Sequence, residues 1–213
     1  MSDKKVIITI TGPSTSGKST LAELFKPEGF QEVVSTTTRP QRTGEINGIS
    51  YYFVDDNKFS EMMRAEELVE HAAVGQYSYG VSKRAISDVL NAGKPAVLVI
   101  EPKGANNVAK FCEQEGITVH KVFLNNDMNI LIDRLQKRWD EDAKAKEEVY
   151  KERLWNIAFI EPKEWTAKAY SGEHHYDQIF DSFLPENQDE VLHSILSAVE
   201  QKLTKKNNSR LKP

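Results

Sequence analysis

The 213 residues hold a single cysteine, Cys112, so no disulfide can close within the chain, and the composition points to a reducing compartment. Long apolar runs are missing too. Ala96-Val97-Leu98-Val99-Ile100 is typical of what there is, far short of the ~20 residues that span a membrane, and Met1-Ser2-Asp3-Lys4-Lys5 leads into a short strand rather than a signal-peptide core. Charge is nearly balanced: 28 Lys and Arg against 32 Asp and Glu give a net −4, which offers no general case for a nucleic-acid partner. Only Lys202, Lys205, Lys206, Arg210 and Lys212 make a locally basic stretch, the pattern of a solvated chain end. Internal repeats and low-complexity segments are lacking as well. What remains is a soluble, cytoplasmic protein long enough for one large domain with insertions, a monomer or homodimer.

The most informative stretch present is Gly12-Pro13-Ser14-Thr15-Ser16-Gly17-Lys18-Ser19. It follows the apolar run Val6-Ile7-Ile8-Thr9-Ile10 and precedes the helix-like Thr20-Leu21-Ala22-Glu23-Leu24-Phe25, the strand, glycine-rich turn and helix that a phosphate-gripping P-loop requires. A triphosphate tail is polyanionic and is best wrapped by backbone amides at close range. Gly12 and Gly17 permit the positive φ values that turn successive N–H groups inward, and the helix start adds its positive dipole end. Lys18 then reaches the outer phosphates, while the Ser19 hydroxyl is hard enough to ligate magnesium. The spacing makes residues 12–20, from Gly12 through Thr20, an ATP-binding segment.

Apolar runs alternate with helical patterns along the chain, which predicts an α/β fold with a parallel sheet covered on both faces. The clearest strands are Val6 to Thr11, Pro95 to Ile100, Val119 to Leu124 and Gln178 to Phe180. Helices are expected over Ser19 to Lys26, Ser82 to Ala92, Gly104 to Glu115, Met128 to Lys137, Glu147 to Ile160 and Gln188 to Lys202. Two stretches interrupt this rhythm. Residues 35–81 are rich in Thr, Tyr, Gly and Arg and include the alternating Ile49-Ser50-Tyr51-Tyr52-Phe53-Val54, while residues 138–158 are densely charged, with 11 of 21 residues Asp, Glu, Lys or Arg. In the first, Arg39 and Arg42 are three apart in a turn-forming loop and can present two guanidinium forks to one phosphate.

The stretch from Ser35-Thr36-Thr37-Thr38-Arg39-Pro40 through Gly44-Glu45-Ile46-Asn47-Gly48 to Tyr51-Tyr52-Phe53-Val54 resembles the signature of guanylate kinases. Gly12-Pro13-Ser14, Leu68-Val69-Glu70-His71-Ala72 and Gly75-Gln76-Tyr77-Ser78-Tyr79-Gly80 match it in order and spacing, from about residue 6 to about residue 200. The resemblance implies a P-loop NTPase-type three-layer fold: a core of residues 1–34, 96–133 and 159–203, a small β-containing nucleoside-monophosphate-binding region over 35–95, a helical lid over 134–158, and a flexible basic tail over 204–213. It implies that Arg39, Arg42, Tyr51 and Tyr79 hold the acceptor phosphate, and that Ser35 and Glu70 contact the base, although Glu70 would serve equally as a cap on a neighbouring loop. Glu101, where the family has an acidic group, would hold water around magnesium, or simply end its strand. Arg138 and Arg153 match lid arginines of the transferred phosphate best, with Arg134 a third possibility; the alternative is ion pairing along an exposed helix.

The chain departs from the family at Val81, where a Ser or Thr would donate toward the guanine O6, and at Val99, where an aspartate is usual. Each good base-edge contact is worth about 1–3 kcal/mol, so the acceptor base is less tightly specified than the reaction. The expected activity is magnesium-assisted, in-line transfer of phosphate from ATP to a purine nucleoside monophosphate, GMP or dGMP first, with Lys18, Arg138 and Arg153 stabilising the charge and the lid excluding water. Alternatives are a modified purine deoxynucleoside monophosphate or ribose 1,5-bisphosphate as acceptor, and a non-catalytic guanylate-kinase-like binding module. His174 and His175 read as a polar loop rather than a metal site, and Trp139, Trp155, Trp165 and Phe159 as packing around the lid.

Overall fold

Every residue of the first strand is buried, which a strand achieves only with cover on both faces. A computed structural model describes residues 5–141 and 147–210. The elements run β1 (Val6–Thr11), α1 (Lys18–Leu24), β2 (Gln31–Glu32), β3 (Thr36–Thr37), β4 (Tyr52–Phe53), α2 (Asp56–Arg64), β5 (Leu68–Val74), β6 (Tyr77–Ser82), α3 (Lys83–Asn91) and β7 (Ala96–Val99). They continue with α4 (Pro102–Gln114), β8 (Thr118–Leu124), α5 (Met128–Glu141), α6 (Glu147–Trp155), α7 (Ala167–Tyr170), β9 (Gln178–Phe180) and α8 (Gln188–Arg210). Two consecutive π-helical turns, Asn156–Ile160 and Pro162–Thr166, lie between α6 and α7. The strands form a five-stranded sheet ordered β2-β7-β1-β8-β9, with β2/β7 and β8/β9 parallel, and a four-stranded sheet ordered β4-β3-β6-β5. This is the expected α/β architecture.

The chain gathers into two compact units. One holds Phe25–Leu98 and Lys103–Val119 with the start of β1. Its small sheet pairs β3 parallel with β4 and antiparallel with β6, and β5 and β6 form a hairpin. The helix α2 begins where the Asp55 carboxylate accepts the Lys58 N–H at 2.7 Å, and α3 where the Ser82 hydroxyl accepts the Ala85 N–H at 3.0 Å, two side-chain caps of the usual kind. Both helices bury one face, Phe59 and Met62 on α2 and Ala85, Ile86, Val89 and Leu90 on α3.

The second unit holds Thr9–Leu24, Val99–Pro102 and the chain from His120 onward. Leu21, Phe123, Leu124, Phe183 and Ile195 are completely or almost completely buried there. A further cluster joins Leu131 and Leu135 of α5 to Ile157, with Ile132, Tyr150 and Leu154 packed against it.

Several expectations shift. The helix expected over Glu147 to Ile160 leaves α-geometry at Asn156, and α8 continues to Arg210 through much of the stretch expected as a loose tail; residues 211–213, like the acidic and basic run at 142–146, lie outside the described residues. The alternating run Ile49–Val54 contributes only β4, and Ile49 is 69% exposed because it lies in a turn, where the Ile46 carbonyl accepts the Ile49 and Ser50 N–H groups. Among the described residues no helix is long and apolar enough to cross a membrane.

Candidate active site

The loop after β1 takes the backbone shape its glycines predict. Gly12 has φ +145° and Gly17 φ +98°. A Cβ on Gly12 would stand 2.1 Å from the Leu124 carbonyl oxygen, which bars a side chain there, and one on Gly17 would stand 2.5 Å from the Phe183 ring, which would have to move. Thr15, between them, is also left-handed at φ +63°. Its hydroxyl lies 2.6 Å from the Ser14 carbonyl and 2.7 Å from that of Leu131, either of which can take its one proton. Asn126 closes the loop from the far side, donating to the Ser16 carbonyl and accepting the Phe183 N–H, both at 3.0 Å. The Ser16 hydroxyl is buried with no partner among the described residues.

Lys18 turns back over this loop and donates to the Gly12 and Pro13 carbonyls at 2.9 and 2.6 Å. An ammonium has three protons, so one donor remains for an anion. Burial pulls its pKa down to about 8, with the carboxylates of Glu161 and Glu101 opposing the shift. Glu101 follows β7 and opens to solvent, yet desolvation, with the Glu161 carboxylate adding and Lys18 opposing, raises its carboxyl above the usual range. Ser19 and Thr20 are exposed at the start of α1.

The basic residues of the charged segment divide. Arg134 is bonded to the loop's surroundings, donating to the Thr15 carbonyl at 3.2 Å and the Phe183 carbonyl at 2.8 Å. Arg138 is exposed near the end of α5, and Arg153 is half-buried in the last turn of α6. Trp139 stacks on Tyr150, ring centroids 5.0 Å apart, seating α5 against α6. Trp155 and Phe159 instead pair with each other at 4.3 Å and stay 58% and 51% exposed, so they do not pack into the core as expected.

The other unit assembles the residues expected for an acceptor. Strand alternation puts Thr37, Phe53 and Tyr79 on one face, since Thr37 pairs with both Phe53 and Tyr79. Two positions along β6, Val81 sits opposite Glu70 beside a β-bulge. Arg39 lies 5.4 Å from the Tyr51 ring centroid and 5.6 Å from that of Phe53, and the Tyr51 and Tyr79 rings meet edge-on at 6.0 Å. Burial, then the neighbouring Tyr79, raises the Tyr51 hydroxyl pKa, with Arg39 opposing. The Ser35 carbonyl accepts the Tyr52 N–H at 2.8 Å, which fixes that end of the cluster. Arg42 is exposed on the same loop, and Val81 is buried.

Two carboxylates escaped the sequence reading. Glu45 accepts both terminal nitrogens of Arg39, at 2.6 and 3.0 Å, and the Arg42 N–H at 2.8 Å. Glu161 accepts the Ser14 N–H and hydroxyl at 3.0 and 2.7 Å. Glu45 stood inside the quoted signature, while nothing local marks Glu161.

A profile of the guanylate kinase family matches residues 3–202. The chain belongs to the guanylate kinase family. It is 35% identical over 154 residues to the guanylate kinase of Carboxydothermus hydrogenoformans, covering 71% of this chain and 72% of that one. With the guanylate kinase of Clostridioides difficile it shares 37% over 118 residues, a stretch covering 54% of this chain and 57% of that enzyme. The guanylate kinase structure from Anaplasma phagocytophilum superimposes with a TM-score of 0.62 at 27% identity, over 94% of this chain and 87% of that one. The profile match contains both the loop around Lys18 and the cluster around Arg39, and the chain spans little more than half of the length of the Clostridioides difficile enzyme.

Proposed function

We propose that this chain transfers the terminal phosphate of ATP to GMP or dGMP, giving the diphosphate. The observation that carries the proposal is the donor loop, whose two glycines hold left-handed conformations that other residues rarely adopt while Lys18 lies over them with one donor to spare. A non-catalytic binding module has no use for that construction.

The acceptor's phosphate oxygen is already anionic, so no general base is needed, and the protein contributes alignment and opposing charge. The amides of the loop from Gly12 to Thr20 and the Lys18 ammonium hold the donor's phosphates. Arg138 and Arg153 meet charge as it develops. Arg39, Arg42, Tyr51 and Tyr79 hold the acceptor phosphate, and Ser35 and Glu70 read the base, a carboxylate matching the adjacent N1–H and amino donors of guanine, with Val81 an apolar wall. Magnesium fits the donor set, because a hard cation takes oxygen ligands and both the Ser19 hydroxyl and the Glu101 carboxyl are open to solvent. Ser19 would hold it directly and Glu101 through water; bound there, it neutralises charge on the donor's phosphate oxygens. The lone buried cysteine suits a reducing, cytoplasmic setting.

A coupled assay with ATP across GMP, dGMP, AMP, 2-aminoadenine nucleotides and ribose bisphosphate tests the reading. The guanine nucleotides should be the best acceptors, and Lys18→Met should lower kcat by about 100-fold or more. Full activity in Lys18→Met overturns the donor assignment, and a preference for ribose bisphosphate overturns the acceptor.

A further inference from the structure

The loop's glycines, lysine and terminal serine are explained by the anion they serve, but Ser14 is not, since the P-loop pattern leaves that position open. In this chain Ser14 offers two donors, and one residue far away in sequence takes both. Glu161 Oε2 accepts the Ser14 N–H at 3.0 Å and Oε1 accepts its hydroxyl at 2.7 Å. The Glu161 side belongs to a residue only 3% exposed, and a carboxylate is buried at that depth only where its partners are fixed.

The segment carrying Glu161 is anchored. Its N–H bonds to the Asn156 carbonyl five residues back, a π-turn bond that inserts a residue into the helix register. Four residues back on the same side, Ile157 is 1% exposed and locked among Leu131 and Leu135. Through α5 the same assembly reaches the next loop residue, with the Thr15 hydroxyl 2.7 Å from the Leu131 carbonyl and Arg134 bonded to the Thr15 carbonyl. Ser14 and Thr15 are thus gripped together. A left-handed threonine costs about 1 kcal/mol or more and persists only where its surroundings over-determine it.

A carboxylate on an amide of an anion-binding loop has two physical readings. As a stand-in for phosphate it would have to leave when the donor arrives; as a strut it would stay and fix the loop. Its burial and the anchoring of Ile157 favour the strut. Resting on the ATP-donor reading above, we propose that Glu161 is a positioning residue that clamps Ser14 to the helical segment carrying Arg153, so that the amides beyond Ser14 and the Lys18 ammonium are set before ATP binds.

The variants Glu161→Ala and Glu161→Gln in the full chain test this, with ATP affinity measured by calorimetry, steady-state constants for ATP and GMP, and thermal unfolding. Glutamine can still accept the Ser14 N–H through its oxygen and donate to the hydroxyl through its amide, so it keeps both bonds and loses only charge. Glu161→Ala should weaken ATP binding about tenfold or more while KM for GMP stays within about twofold, and Glu161→Gln should remain within about threefold of wild type. If Glu161→Ala does not fold, Ser14→Ala removes the hydroxyl half of the clamp and should weaken ATP about threefold or more. Unchanged ATP affinity with only a lowered melting temperature reduces Glu161 to packing and overturns the proposal. Tighter ATP binding by Glu161→Gln also overturns it, by making the carboxylate a competitor of phosphate. Calorimetry reads the loop without the reaction, so a wild-type chain that binds ATP but phosphorylates no nucleoside monophosphate would defeat the proposed activity and leave this inference standing.

Discussion

Glu45 holds Arg39 by both oxygens, 2.6 Å to one terminal nitrogen and 3.0 Å to the other, and takes the Arg42 N–H at 2.8 Å with the second oxygen. The fork expected to meet a phosphate is therefore organised by a carboxylate of its own loop. Arg39 also lies against the Tyr51 and Phe53 rings, and the Arg39 hydrogen bond holds the Glu45 carboxyl below its ordinary range.

Removing that carboxylate leaves Arg39 with the rings but without its lateral anchor, and frees the turn that carries Arg42. Glu45→Ala should raise KM for GMP about tenfold, the scale of one lost charge-assisted bond, with KM for ATP within about twofold. A lower KM for GMP would mean that Glu45 competes with the acceptor instead of organising its site. The pair also leaves a pH mark. A carboxyl depressed on folding adds stability above its unfolded value near 4.5 and loses it as pH falls through the lower folded value, so acid unfolding should begin at higher pH in the variant.

Gly12 gives a sharper stability prediction than Gly17, although both are left-handed. An alanine Cβ at residue 12 meets the Leu124 carbonyl oxygen at 2.1 Å, and backbone inside a sheet strand has nowhere to go. At residue 17 it meets the Phe183 ring at 2.5 Å, a side chain that can turn, at the cost of disturbing a buried aromatic. Gly12→Ala should lose about 3 kcal/mol or more in urea unfolding, and Gly17→Ala less. Equal losses would show that φ strain, not the Leu124 contact, sets the cost.

The parts legible in the sequence were those written in local pattern. Continuous apolar runs gave β1 and the buried core of β7 and β8, and a fixed spacing of glycines, lysine and serine gave the donor loop. The helix α2 was missed because its charged residues dilute a short apolar face of Phe59 and Met62, although Asp55, three residues before the Lys58 N–H it caps, was a readable start signal. Glu161 was illegible for a different reason. The uncharged Asn156-Ile157-Ala158-Phe159-Ile160 before it gives no hint of a site, and its meaning comes from a contact 147 residues away and from a π turn that composition does not announce. Arg134, expected beside the lid arginines, proved to be bonded to loop carbonyls, a distinction that charge and spacing alone do not make.

His120 carries the last prediction, on stability alone. It is 2% exposed, its Nε2 lies 2.8 Å from the Gln178 Oε1, and its Nδ1 is 3.9 Å from the Asp177 Oδ2 without a hydrogen-bond partner among the described residues. The bond to Gln178 assigns the proton to Nε2 in the neutral ring. Burial lowers its pKa below the ordinary 6.5; Gln178 and Asp177 oppose this, and Lys202, 2.7 Å from Asp177, adds to it. The unfolded chain therefore takes up this proton first as pH falls. Stability from the neutral ring is complete above about 6.5 and drains away as pH drops toward the lower folded value, at about 1.4 kcal/mol for each unit of separation. Urea midpoints measured from pH 7.5 to 4.5 should fall for the wild type, and His120→Gln, which can keep a bond to Gln178 without titrating, should fall less steeply. The carboxylate of Asp177 and the ammonium groups of Lys121 and Lys202 are present in both proteins, so parallel slopes would show that the imidazole stays neutral in neither state's favour and sink the prediction.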